Sequence, residues 1–278
     1  MKTIKLLYFD ELPNFGDELS PFIARKLYGA VNHATRTGCN AVFAGSLMNC
    51  FMTGVKPLIR EVFYHLPAVC VWGAGFIEEP DLGRQKLLRR LDVRACRGLH
   101  TLNLLKKING AKVSENTVTA DPGLLAGRLT DTSDIVKKYA LGVIPHYVDK
   151  NNPLLSKIDV KDSTILDIQQ SPETFIKTIA QCENVISSSL HGLIAADSLG
   201  IPSVRMILSD NIHGGDFKFN DYYSAFGMDS HDVINLARRK FTNRDLPGIK
   251  NNYKIKPETV MNLQNALLAS FPFKRPGR

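Results

Sequence analysis

Histidine, serine and arginine recur in this chain where an apolar run stops and a helical pattern begins. The fullest junction is Asn184-Val-Ile-Ser-Ser-Ser-Leu-His-Gly192. A buried strand runs into Ser187, Ser188 and Ser189, and an apolar helix starts around His191 and Gly192. Three hydroxyls, the unpaired N–H groups of a helix start and an imidazole would together make a phosphate cradle. A serine N-cap with a core-facing histidine is the plainer alternative. A serine nucleophile finds no support, because Gly-x-Ser-x-Gly is absent.

Further junctions carry the same chemistry. Asn14-Phe-Gly-Asp17 follows the first apolar run. Gly16 permits a tight turn there, and the helix start favours an anion, although Asp17 could be only the N-cap. Arg97-Gly98 ends another strand before a helix, where a guanidinium suits a phosphate or carboxylate. Gly142-Val-Ile-Pro-His146 ends at a histidine able to bind an anion, exchange a proton or serve structure alone. Gly73-Ala-Gly75 lacks the third glycine of a dinucleotide fingerprint, since Glu78 holds that place. Asp121-Pro-Gly reads as a capped turn. In Asp210–Tyr223, Gly214-Gly215 suggests a mobile lid carrying His213 and Lys218, with a plain surface loop as the alternative. No D-x-D pair and no His/Cys spacing suits a metal, so no metal and no cofactor are expected.

Placing these residues requires parallel βα units. Short apolar runs at Thr3–Phe9, Ala41–Ala44, Ala68–Trp72, Asp92–Ala95 and Thr117–Ala120 alternate with predicted helices at Glu18–Tyr28, Pro57–Tyr64, Gly83–Arg90 and Leu99–Ile108. A second series has strands at Tyr139–Ile144, Thr164–Asp167, Asn184–Ser187 and Ser203–Ile207. Its predicted helices are Pro172–Gln181, Leu190–Leu199, His231–Arg239 and Pro257–Ala269. The polar stretch Gly127–Lys138 separates the series. The reading is an α/β chain of two Rossmann-like domains, 1–130 and 139–278, facing a cleft, with the C-terminal helix free to pack back on the first. The site would then lie at the carboxyl ends of both sheets.

Composition bounds the function further. The 278 residues, 44% hydrophobic and 22% charged, suit a globular chain with a sizeable core. Five cysteines, an odd number without a C-x-x-C pair, read as buried reduced thiols of a cytoplasmic protein. No run approaches the roughly 18 apolar residues of a membrane span, and no signal-peptide core is visible. The net charge of +8 is scattered without an aromatic–basic motif, so nucleic acid is not the expected partner. Anionic small substrates or an anionic membrane face suit it, and the tail Lys274–Arg278 could visit such a face. No residue pattern fixes an oligomeric state.

Taken in order, Asn14–Asp17, Gly73–Gly75, Arg97-Gly98, Asp121-Pro122, Ile144–His146, Ser188–Gly192 and Lys218–Tyr223 resemble the polysaccharide pyruvyltransferase family, especially its exopolysaccharide ketal-pyruvate branch. The resemblance implies a fold similar to the two-domain glycosyltransferase-B type without a metal requirement. It also implies phosphoenolpyruvate as donor and a saccharide, often lipid-linked, as acceptor, at the inner face of the cytoplasmic membrane. On that reading His191 is the general acid, or acts on the donor phosphate only electrostatically, and Asp17 orients or deprotonates the acceptor. The donor, between the halves, meets Arg97 from the first and His146, Ser187, Ser188, Ser189, Leu190, Gly192 and Lys218 from the second, and the acceptor meets Asn14, Gly16, Gly73 and Gly75 in the first. Many members carry arginine where this chain has Ser189, so Arg97, Lys218 or Arg205 must supply that charge. The competing enzyme class is a nucleotide-sugar glycosyltransferase of the same architecture. A non-catalytic anion- or nucleic-acid-binding protein would need a concentrated basic stripe.

Overall fold

The apolar runs of each half lie side by side in parallel, because the intervening segments return the chain to the same sheet end. The computed structural model describes residues 3–54 and 57–273, so the basic tail Lys274–Arg278 lies outside it. In the first half, β1 (Ile4–Leu7), β2 (Val31–His33), β3 (Ala41–Val42), β4 (Val69–Trp72), β5 (Leu91–Cys96), β6 (Ala111–Lys112) and β7 (Val118–Thr119) form a seven-stranded sheet. Its order is β2-β1-β3-β4-β5-β6, with β7 also against β5. In the second half, β8 (Leu141–Ile144), β9 (Ser163–Ile165), β10 (Val185–Ser187), β11 (Ser203–Ile207) and β12 (Val233–Asn235) form a five-stranded sheet. Its order is β9-β8-β10-β11-β12, which repeats the plan of the first. Every described pairing within the two sheets is parallel.

The helices are α1 (Phe15–Leu27), α2 (Pro57–Tyr64), α3 (Leu99–Lys107), α4 (Pro172–Ala180), α5 (Leu190–Ser198), α6 (Phe217–Ser224) and α7 (Pro257–Ala269), with shorter turns between them. Phe15, Leu19 and Ile23 recur four apart and bury one stripe of α1. Helix α5 is buried nearly all round, so its polar residues must find partners inside. Asp197 does: it accepts from Ser203 Oγ (2.8 Å), Tyr222 Oη (2.8 Å) and Tyr253 Oη (3.0 Å).

One hydrophobic core runs from the first sheet to the second, joining Leu6, Phe15 and Trp72 with Ile144, Phe175 and Leu193. Helix α7 crosses back onto the first half. Trp72 Nε1 shares its proton between the Leu267 carbonyl (3.2 Å) and Ser270 Oγ (3.1 Å), and Gln264 Nε2 donates to the Leu124 carbonyl at 2.7 Å.

Two predicted helices are not helices. Gly83–Arg90 holds a turn capped by Asp81 and a short strand, Lys86–Leu87. Buried Arg89 is committed there to the carbonyls of Thr37, Cys39 and Pro67. His231–Arg239 holds edge strand β12, where exposed Val233 alternates with buried Ile234. A free sheet edge decided against helical propensity at that position. The suspected lid is half helix, since α6 begins at Phe217 and buries Lys218, Phe219 and Asp221.

Candidate active site

Both sheets change direction at the same point of their order, β1/β3 in the first and β8/β10 in the second. Open α/β sheets bind ligands in the crevice outside the carboxyl ends at such points. Here both crevices open on one pocket of about 220 Å³. The chain after β1 supplies Phe9, Asn14 and Asp17, and the chain after β3 supplies Ser46 and Leu47. After β8 come His146, Tyr147 and Val148, and after β10 come Ser189, Leu190 and His191. Asn211, His213 and Lys218 close the remaining side.

His191 stands in the first turn of α5 with its ring against Gly16. A Cβ at Gly16 would lie 2.3 Å from His191 Nδ1, so only glycine lets α1 approach this closely. Nε2 is enclosed without a hydrogen-bond partner. Burial, then the charges of Arg97 and Lys218 and the nearby His146, lower the imidazole pKa to about 3. These surroundings hold His191 neutral. Asp17 is moved the other way: burial raises its carboxyl to about 6, against a hydrogen bond from Asn14 Nδ2 at 3.0 Å. Asn14 also caps α1, its Oδ1 accepting from Gly16 N at 3.3 Å. Cap and candidate base are thus one device.

The serine turn works differently from an open cradle. Ser187 Oγ accepts from Ser189 N (3.0 Å) and donates inward, to the carbonyl of Ser189 (2.8 Å) or Ile144 (3.1 Å). Ser188 Oγ accepts from His146 N at 2.8 Å, which fixes that loop. Neither hydroxyl lines the pocket, and Ser189 does, its side chain making no cap bond. Gly192 also stays out of the pocket, serving to pack α5 on Ser187 and Ile144. Burial, then Lys218, lowers His146 to about 4, against the pull of Asp149.

Arg97 lies behind the pocket wall, fully buried. Its Nε donates to Asp221 Oδ2 at 2.8 Å, one amino group to Ser46 Oγ at 2.6 Å and the other to the Phe76 carbonyl. Asp221 also accepts from Thr101 N and Oγ1 at 2.8 and 2.7 Å, tying α6 to the start of α3. The expected direct anion ligand is therefore a strut, whose charge reaches the pocket through Ser46. Gly73 and Gly75 are likewise buried and outside the pocket lining: Gly73, at φ +98°, makes room for Pro122, and Gly75 makes room for the Arg97 guanidinium. Asp121 caps its own turn through Gly123 N at 2.8 Å. The cation that does line the pocket is Lys218, whose Nζ donates to the His213 carbonyl at 3.0 Å. Burial, then Arg97 and Arg205, lowers its pKa to about 8.

Sequence reasoning missed Ser46, Phe9, Tyr147 and Asp221. Ser46 follows Gly45 at the end of a strand run, a signal that could have found it. Asp221 falls in the Lys218–Tyr223 segment, but its pairing escaped because the partner is 124 residues away. A larger cavity of about 420 Å³ lies at the opposite, amino end of β11 and β12. Of its two arginines, Arg239 is paired with Asp245, and neither switch point reaches the cavity. Among the described residues no three of His, Cys, Asp and Glu gather to hold a metal ion.

The switch-point residues fall within a recognisable span. Residues 4–211 match the family described as polysaccharide pyruvyl transferase. The chain belongs to that family. An uncharacterised protein of Acanthamoeba polyphaga mimivirus is 29% identical over 240 residues, covering 82% of this chain and 76% of its own. The succinoglycan biosynthesis protein ExoV of Rhizobium meliloti (strain 1021) is 26% identical over 159 residues, covering 56% of this chain and 46% of its own. No solved structure matches. The pyruvyl transferase match takes in Asp17, His146 and His191 and stops before Lys218.

Proposed function

We propose that this pyruvyl transferase takes pyruvate from phosphoenolpyruvate and closes it as a ketal on two hydroxyls of a saccharide, releasing phosphate. The supporting observation is the His191 pocket. An imidazole with an unpartnered Nε2 sits there with Lys218, which no carboxylate pairs among the described residues. Drug-sized ligands occupy roughly 300–1,000 Å³. A pocket of about 220 Å³ suits a three-carbon phosphoester better than a nucleotide sugar. The glycosyltransferase alternative is accordingly not favoured.

The donor's phosphate lies against Lys218, Ser189 and the free N–H groups opening α5. Its negative charge offsets the burial and the cations that hold His191 neutral, so the imidazole gains a proton. His191 delivers that proton to the methylene carbon, making a methyl group and oxocarbenium character at the neighbouring carbon. A saccharide hydroxyl adds there and gives its proton to Asp17, whose pKa near 6 suits a base at neutral pH. The carbon–oxygen bond to phosphate then breaks, and a second hydroxyl closes the ring as its proton passes to the departing phosphate. Ser46, polarised by Arg97, donates to an oxygen of the donor. Phe9 (49% exposed), Tyr147 and Val148 at the rim offer an apolar face for the C–H side of a sugar ring.

In this reading the two sheets are Rossmann-like halves of a glycosyltransferase-B arrangement, 1–130 facing the acceptor and 139–278 the donor. A lipid-linked acceptor would bring the protein to a membrane face. Among the described residues no helix is long and apolar enough to cross one. Calorimetric competition separates the donors: phosphoenolpyruvate should bind, and a nucleotide sugar should not displace it from the His191 pocket. Binding of the nucleotide sugar with phosphoenolpyruvate inert would overturn the assignment.

A further inference from the structure

The segment 209–216 stands between the His191 pocket and a second hollow of about 600 Å³. Asn211 and His213 line both, so the two spaces adjoin. A third hollow of about 400 Å³ continues beyond, and Arg205 and Asp216 line the second and the third alike. The second and third form a trough crossed by a single bar, the Arg205–Asp216 ion pair at 2.6 Å, and the segment 209–216 is the wall this trough shares with the His191 pocket.

The two ends of that bar are unequal. The Arg205 side chain is 9% exposed, with its guanidinium carbon 3.9 Å from the centroid of Phe219 and an amino group 3.5 Å from His231 Nε2. It cannot leave. Asp216 is 69% exposed and makes no helix-cap bond, so it can swing into water. Beside it Gly214 and Gly215 take positive φ, +84° and +47°, and leave bare backbone along the hollow. A fixed guanidinium fork with a displaceable carboxylate, facing bare peptide groups, matches an oxyanion with several oxygens.

We propose that this trough takes the anionic end of the acceptor, whose saccharide faces the first half across the His191 pocket, and that a phosphate or diphosphate attached to that saccharide replaces Asp216 on Arg205. The donor pocket is too small to hold both substrates. The adjoining trough is the space from which an acceptor reaches the reacting carbon. The direction of the trough rests on reading the His191 pocket as the donor site; the anion site at Arg205 does not.

The test is calorimetric titration of the full chain with inorganic diphosphate, with and without saturating phosphoenolpyruvate. Asp216→Ala should tighten binding about fivefold, since an exposed ion pair is worth up to about 1 kcal/mol. Arg205→Lys should bind more weakly than wild type, because it keeps the charge and loses the fork. Arg205→Gln should bind least. If Arg205→Gln fails to melt cooperatively, the Asp216→Ala and Arg205→Lys arms decide. Phosphoenolpyruvate should leave diphosphate affinity within about twofold, as separate sites behave additively. Unchanged affinity in Asp216→Ala, wild-type affinity in Arg205→Lys, or competition by phosphoenolpyruvate would each overturn the proposal. Arg205-dependent diphosphate binding without any phosphoenolpyruvate binding would fault the donor reading and leave this site standing.

Discussion

His191→Gln separates proton transfer from mere packing at the centre of the pocket. Glutamine keeps a polar amide against Gly16 and cannot carry a proton. With the ring near pKa 3, protonating it against the protein's own surroundings costs about 5 kcal/mol relative to free histidine, at about 1.36 kcal/mol per unit. An anion roughly 4 Å away, at an effective dielectric constant near 20, returns about 4 kcal/mol. That is about three units, and it carries the imidazole back to near 6. Donor binding near pH 6 should therefore take up about half a proton, read by calorimetry in buffers of different ionisation enthalpy, and His191→Gln should lose that uptake. Turnover should fall by about 10²–10⁴-fold, the usual range for a general acid. Stability offers a third readout. The folded pKa lies below the unfolded 6.5, so His191 subtracts stability as pH falls from 6.5 toward 3. The variant's acid limb should be shallower by about one proton. Equal proton uptake in both proteins, or near-normal turnover in the variant, would refute the reasoning.

Three further perturbations address its neighbours. Asp17→Asn should lower turnover and erase the fall in activity below about pH 6. Because burial raises the Asp17 carboxyl, the ionised form opposes folding above pH 6, so the variant should melt higher than wild type at pH 7 and not at pH 3; a lower melt at pH 7 would contradict this. Arg97→Met should cost about 3–5 kcal/mol in urea denaturation by leaving Asp221 buried and unpaired, and an unchanged midpoint would remove the strut. Gly16→Ala should push the His191 ring aside and slow turnover while leaving donor affinity less affected, and full activity would show that the close approach is dispensable.

The parts of the site that neighbouring residues build were legible in the sequence. Asn14 capping Asp17's helix, and His191 opening a helix after a strand, depend on residues within four positions. Strand Ser203–Ile207 and helix Pro257–Ala269 stand where the apolar pattern put them. What escaped depends on distant partners. Arg97 looked like a free cation until Asp221 arrived from the other half of the chain. Ser187 and Ser188 looked outward because the carbonyl of Ile144 and the N–H of His146, which hold them, come from a neighbouring strand and its loop. His231–Arg239 carried a helical pattern, and only the open edge of β11 made Val233–Asn235 a strand.

The most direct measurement follows the carbons of the donor. Phosphoenolpyruvate labelled in its three-carbon skeleton, incubated with the protein and a saccharide acceptor, should transfer the label into an acid-labile ketal and release one inorganic phosphate per ketal. His191→Gln and Asp17→Asn should transfer far more slowly under the same conditions. Phosphate release without label on the saccharide, or label transferred equally well by both variants, would contradict the account.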